Sequence, residues 1–190
     1  ELLAEANQLV HGLREQGLQP GDVVAAFLPN CAQYTALNLA VTQAGFFLVP
    51  INWHLAGAEV AYILRDSEAK VFICHERTTA TALEAIDDLG YSRDKAFAIG
   101  SVDGIQRYAS LIADQSAEMP EARLVGAVMF YTSGTTGKPK GVAYSHRSWL
   151  AAGRDWFYNF PPMQVGDPCL HVGPISHGSG YLYTPTWLSG

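Results

Sequence analysis

Between two apolar runs lies the stretch Tyr131-Thr132-Ser133-Gly134-Thr135-Thr136-Gly137-Lys138-Pro139-Lys140-Gly141-Val142. It holds four hydroxyl residues (Thr132, Ser133, Thr135, Thr136), three glycines (Gly134, Gly137, Gly141) and two lysines. Glycines let a backbone approach an anion closely and adopt positive φ, so that amide N–H groups point inward. Hydroxyls add donors, and Lys138 and Lys140 add positive charge without any acceptor. These are the groups that grip a polyphosphate. The alternative is a flexible surface linker, since Gly, Ser, Thr, Lys and Pro are all common in loops. A linker has no reason to stack this many donors between two buried strands, and the phosphate reading is preferred.

Neither common nucleotide fingerprint is present. A P-loop starting at Gly134 would need its second glycine where the chain has Pro139. No G-x-G-x-x-G occurs, so the dinucleotide pattern is absent as well.

The elements that must position this loop can be read from periodicity. Val125-Gly126-Ala127-Val128-Met129-Phe130 enters the loop as a buried strand, and Gly141-Val142-Ala143-Tyr144 leaves it as a short one. Ser145-His146 has the look of a cap for a helix starting near Arg147. Upstream, apolar residues recur at helical spacing over 2–16, and Gly17 stops that helix. Strands are expected at 23–28, 46–49 (closed by Pro50), 70–74 and 95–99, alternating with helices at 31–44, 57–66 and 79–89. The segment 100–121 is more polar, with a turn at Asp103-Gly104, a helix near 106–114 and a linker through Pro120. Such alternation predicts an α/β fold, a doubly wound, mostly parallel sheet with flanking helices. Ligands collect at the carboxyl ends of strands in these sheets, and the loop after Phe130 sits at such an end.

Composition narrows the class. The chain has 190 residues, 48% hydrophobic and 16% charged, as in an ordinary globular protein. A net charge of −6 argues against a nucleic-acid surface. No apolar run reaches 18 residues, so no membrane span is expected. The opening Glu1-Leu2-Leu3-Ala4 reads as helix and not as a basic-plus-apolar leader. Cys31, Cys74 and Cys169 are odd in number and widely spaced, reading as buried small residues in a reducing, cytoplasmic setting. No two of the six histidines have the i, i+4 spacing of a helical zinc site, so metal binding by protein side chains alone is not expected.

The twelve contiguous residues from Tyr131 to Val142 closely resemble the signature loop of the adenylate-forming enzymes. That superfamily includes acyl-CoA synthetases, firefly-type luciferases and nonribosomal-peptide adenylation domains. Two further stretches resemble it. Thr42-Gln43-Ala44-Gly45-Phe46-Phe47-Leu48-Val49-Pro50-Ile51-Asn52 matches its early helix–Gly–strand–Pro segment, where the expected role is packing. Pro174-Ile175-Ser176-His177-Gly178-Ser179-Gly180 follows an expected strand at 169–172 and matches a loop on the rim of the acyl pocket. By resemblance His177 takes the place of the family's His or aromatic residue near the reacting carboxylate, positioning the acid and not acting as general base. A lone histidine is more often packed or solvated than functional, and it is the loop's matching pattern that favours a role.

The resemblance implies a reaction. A carboxylate attacks the α-phosphate of ATP to give acyl-adenylate and pyrophosphate, and a thiol, usually of coenzyme A, then takes the acyl group. Thr132, Ser133, Gly134, Thr135, Thr136, Gly137, Lys138 and Lys140 would form the ATP cradle, with Lys138 a solvent-facing electrostatic contributor. Charged hydrogen bonds contribute roughly 1.5–3 kcal/mol each, so the cradle would dominate ATP affinity. With little apolar contact to pin it, residues 133–138 are expected to be mobile without nucleotide. The amino-acid-activating branch usually places an Asp after the aromatic residue, and this chain has Gly178 there. An ammonium without a counter-ion would be costly in a half-buried pocket, which points to a plain fatty or aromatic acid. Tyr181, Tyr183 and Trp187 are candidates to line an apolar pocket, or simply to pack. Magnesium, which normally accompanies ATP, wants an acidic ligand; no Glu follows Glu121, and only Asp155 and Asp167 follow the loop. Residues 1–190 therefore correspond to the N-terminal part of the large AMP-binding domain, without the later elements or the C-terminal domain, and alone are expected to be catalytically inert. A carrier protein as acyl acceptor, a non-catalytic nucleotide-binding or acyl-binding relative, and homodimerisation all stay open.

Overall fold

A computed structural model of the chain describes residues 1–132 and 137–189. Helix α1 (Leu2–Glu15) leads into β1 (Val23–Phe27), and α2 (Ala32–Gln43) into β2 (Phe47–Ile51). Helix α3 (Gly57–Asp66) precedes β3 (Val71–His75), and α4 (Thr79–Leu89) precedes β4 (Ala96–Ile99). Then come β5 (Gln106–Arg107), the single turn α5 (Ala109–Ile112), the hairpin β6 (Ala127–Thr132) and β7 (Lys140–Tyr144), α6 (His146–Asn159), a 3₁₀ turn (Gly178–Leu182) and α7 (Tyr183–Ser189). Among the described residues seven strands lie in the order β5-β4-β3-β1-β2-β6-β7. All neighbours pair in parallel except β6 and β7, which are antiparallel.

The sheet is covered on both faces because β1 and β2, at its centre, are apolar at every position. Along β1, Val24 and Ala26 pack with Leu9, Val10 and Leu37 of α1 and α2. Val23, Ala25 and Phe27, on the other face, pack with Val60, Leu64 and Ile86 of α3 and α4. This is the period-two split of a strand buried on both sides, and it gives the doubly wound α/β architecture. Successive strands leave β1 in opposite directions, β2 to one side and β3 to the other, so a topological switch lies in mid-sheet. The carboxyl ends of β1, β2 and β6 open beside it.

Three expectations are revised. Pro50 does not close β2 but lies within it, opposite Ala26. The N–H of Phe47 donates to Asp22 O on the β1 side, so by alternation Pro50 faces β6. The β2–β6 ladder has already ended at Leu48↔Val128, so the missing N–H leaves no ladder position unfilled. The helix expected over 106–114 is reduced to α5, because Gln106 and Arg107 extend the sheet beside Phe97 and Ala98. The strand expected at 169–172 does not form, and Leu170 and Val172 are 82% and 88% exposed. The carbonyls of His171 and Gly173 instead accept from Asn30 Nδ2 (3.2 and 3.0 Å), and Ile175 N–H donates to Asn30 Oδ1 (2.9 Å). One side chain thus supplies what a neighbouring strand would. Asn30→Ala should cost about 1–2 kcal/mol, discounted for the exposure of Asn30, and should speed amide exchange at Ile175 in hydrogen-exchange measurements.

All three cysteines are free, but only Cys74, in β3, is buried; Cys31 and Cys169 are half-buried, at a helix start and in a loop. Burial pushes the Cys74 thiol up to about 12. At pH 8 a disulfide reagent should label Cys169 in the folded chain and reach Cys74 only after unfolding, as peptide mass mapping would report. Among the described residues no helix is long and apolar enough to cross a membrane.

Candidate functional site

The glycine-rich loop joins β6 to β7 as the tip of a hairpin. Thr132 and Lys140 face each other as the last paired residues, both exposed. Gly137 has φ +88°, a value glycine adopts without a Cβ penalty. Lys138 Nζ lies 6.0 Å from the centre of the Tyr62 ring, toward α3. Ser133, Gly134, Thr135 and Thr136, four of the expected phosphate ligands, lie outside the described residues.

Helix α3 holds the base of this hairpin. Tyr62 Oη donates to Pro139 O (2.9 Å), and Tyr131 Oη donates to Asp66 Oδ2 (2.8 Å). Burial, reinforced by the hydrogen bond to Asp66, pushes the Tyr131 phenol well above the usual tyrosine range. Neither Tyr131, Asp66 nor Tyr62 stands out in the sequence as a site residue. The available signal is the i, i+4 spacing of Tyr62 and Asp66, which places both on one helix face.

His177 is brought to the same place. Its exposed side chain and the loop-base residues Tyr131 and Pro139 line one cavity of about 250 Å³, with Pro50, Asn52 and Ser176. Ser176 is only 4% exposed, and its Oγ has no hydrogen-bond partner among the described residues. The segment carrying His177 is fastened on both sides. Upstream stands the Asn30 clamp; downstream, Tyr183 Oη and Thr35 Oγ1 lie 3.0 Å apart, tying α7 to α2. His171 Nδ1 lies 3.1 Å from both the Oγ and the carbonyl O of Ser179, closing the turn.

A second cavity, of about 260 Å³ and mainly apolar, lies between α2, α6 and α7. Tyr183 and Trp187 line it, their rings stacked with centroids 5.2 Å apart, together with Leu39 and Trp149. The side chain of Tyr181 lies outside the described residues. At the start of α6, Ser145 Oγ accepts the N–H of Ser148 (3.2 Å), as the expected cap.

Among the described residues no three His, Cys, Asp or Glu side chains converge. Of the two acids after the loop, Asp167 accepts the N–H of Gln164 through Oδ2 (2.8 Å), and Asp155 sits on α6. Magnesium that arrives with ATP is usually held by one or two carboxylates together with the phosphates and water.

A model of the family described as AMP-binding enzyme matches residues 1–190. A fatty acid–[acyl-carrier-protein] ligase of Streptomyces coeruleorubidus is 33% identical over 195 residues, covering 92% of this chain and 35% of that protein. A long-chain-fatty-acid–CoA ligase of Mycobacterium tuberculosis is 33% identical over 159 residues, covering 82% of this chain and 31% of that protein. The chain thus spans about a third of the length of these relatives. The inhibitor-bound N-terminal domain of FACL13 from Mycobacterium tuberculosis has a similar structure, with TM-score 0.81 at 28% identity, over 98% of this chain and 47% of that one.

Proposed function

Because the chain belongs to the AMP-binding enzyme family, we propose that the protein it comes from activates a carboxylic acid with ATP and passes the acyl group to a thiol. The observation that carries this reading is the shared cavity: the base of the phosphate loop and His177 meet at the carboxyl ends of β2 and β6. The carboxylate attacks the α-phosphate, forming the acyl–phosphate bond as the bond to pyrophosphate breaks. Thr132, Ser133, Thr135, Thr136 and Lys140 hold the β- and γ-phosphates, with backbone N–H groups of Gly134 and Gly137 beside them. Their charge and donors act where negative charge accumulates on the departing pyrophosphate. Lys138 contributes at longer range. His177 orients the acid at the rim and takes no proton.

The acyl part enters the apolar cavity lined by Tyr183 and Trp187. Gly178 supplies no carboxylate for an ammonium, which favours a fatty or aromatic acid over an amino acid. Coenzyme A is the proposed thiol and the cytoplasm the proposed compartment, in keeping with three free cysteines. The similarity to a ligase named for an acyl carrier protein supports a second reading, in which a carrier thiol is the acceptor.

The test is acid-dependent exchange of labelled pyrophosphate into ATP by the whole protein, across a panel of fatty, aromatic and amino acids. Exchange with the first two classes supports the proposal, and consumption of coenzyme A separates the two acceptors. No exchange with any acid, and no ATP binding, would overturn it.

A further inference from the structure

The hairpin that carries the phosphate loop is poorly held by the sheet itself. The β2–β6 ladder consists of Phe47↔Ala127 and Leu48↔Val128, whereas β6 stays paired to β7 from Val128 to Thr132. Beyond Val128 the two strands form a ribbon with no ladder to β2, held on one face by Phe130 in the core beside Tyr144 and Trp149, and a two-stranded ribbon alone is marginally stable in water. Something outside the sheet must fix its direction.

Helix α3 supplies it with two side chains one turn apart. Asp66 takes hold of the incoming strand, accepting from Tyr131 Oη at 2.8 Å. Tyr62 takes hold of the outgoing one, donating to Pro139 O at 2.9 Å. The Tyr62 hydroxyl also lies 3.3 Å from Asp66 Oδ1; it has one proton, and the shorter bond to Pro139 takes most of it. Packing holds the same geometry: a Cβ on Gly141 would stand 2.7 Å from Met129 Sδ and 3.3 Å from the Tyr131 ring, so the glycine leaves room for that ring.

We infer that Tyr62 and Asp66 are positioning residues: they clamp both arms of the hairpin to α3 and so hold the loop in the geometry that binds nucleotide. Neither side chain needs to touch the phosphates. The inference rests on the proposed phosphate role of the loop for its consequence, but the clamp itself is measurable without nucleotide.

The test uses Asp66→Ala, Asp66→Asn, Tyr62→Phe and Tyr131→Phe in the whole protein, with Lys140→Ala as a control on the loop. Amide exchange over residues 129–144 and titration with a fluorescent ATP analogue are the two readouts. Losing one such hydrogen bond should speed exchange there about three- to tenfold and weaken ATP by a similar factor. Asp66→Asn, which keeps one acceptor oxygen, should fall between wild type and alanine. Combining Asp66→Ala with Tyr131→Phe should be no worse than either alone, since both remove one bond. A side chain that only stabilised the fold would instead lower the thermal midpoint and speed exchange throughout the chain. Unchanged exchange in every variant overturns the clamp, and faster exchange with unaltered ATP affinity overturns its positioning role. If the wild-type whole protein and its Lys140→Ala variant alike fail to bind ATP, the phosphate reading falls, and the exchange data alone decide the clamp.

Discussion

Lys140→Ala should weaken ATP binding by about tenfold or more, the upper part of what one charge-assisted hydrogen bond contributes once exposure is allowed for. Lys140 is the first residue of β7 and pairs with Thr132, so the ladder fixes its backbone where the loop rejoins the sheet. The backbone from which its ammonium extends is thus set by the sheet. Lys138 is placed differently, with Nζ 6.0 Å from the Tyr62 ring centre. Lys138→Ala should therefore cost only about two- to threefold, through longer-range attraction that salt screens over roughly 8–10 Å. Raising the salt from about 50 to about 300 mM should shrink the Lys138 effect more than that of Lys140. Titrations of the two variants at both salt concentrations check this, and equal losses, or none, would argue against a phosphate grip at this loop.

The sheet was legible because its central strands are short, mostly apolar and separated by helices with clear stops. Helices α3 and α4 fall where the periodicity places them, over Gly57–Asp66 and Thr79–Leu89. Misreadings arose where tertiary partners overrule local pattern. Pro50 looks like a strand terminator until the β6 ladder is seen to end two residues earlier. Residues 169–172 have the apolar run of a strand, yet their segment makes its polar contacts with a side chain 141 positions upstream. The site divides in the same way. The proposed phosphate grip of the loop is a reading of residue types, since glycine, hydroxyl and lysine suggest it. The clamp could not be read that way, because Tyr62, Asp66 and Tyr131 each look ordinary, and only the fold brings positions 65 residues apart to 2.8 Å.

A large effect on stability is expected at a residue with no side chain. Helix α2 ends at Gln43, and its last carbonyls need donors that the helix cannot provide. The segment leading into β6 supplies two of them: Leu124 N–H donates to Gln43 O (3.0 Å) and Gly126 N–H to Thr42 O (2.8 Å), and Ala127 N–H then begins the pairing with the β2 side at Phe46 O (3.1 Å). At Gly126 the two backbones come so close that a Cβ would stand 2.3 Å from Phe46 O and 2.6 Å from Val41 O. Those atoms belong to a helix end and a turn that are themselves hydrogen-bonded, so they have little room to give. Gly126→Ala should destabilise the chain by about 3 kcal/mol, the upper end of what overpacking costs. For a chain of this length that is a fall in midpoint of roughly 6–12 °C, readable by circular dichroism. Gly178→Ala is the matched control, since a Cβ added there would meet nothing within 4 Å, and it should move the midpoint by about 1–2 °C at most. If instead both substitutions were tolerated alike, β6 would not depend on this close approach to α2, and the loop it carries would be positioned by the hairpin and its clamp alone.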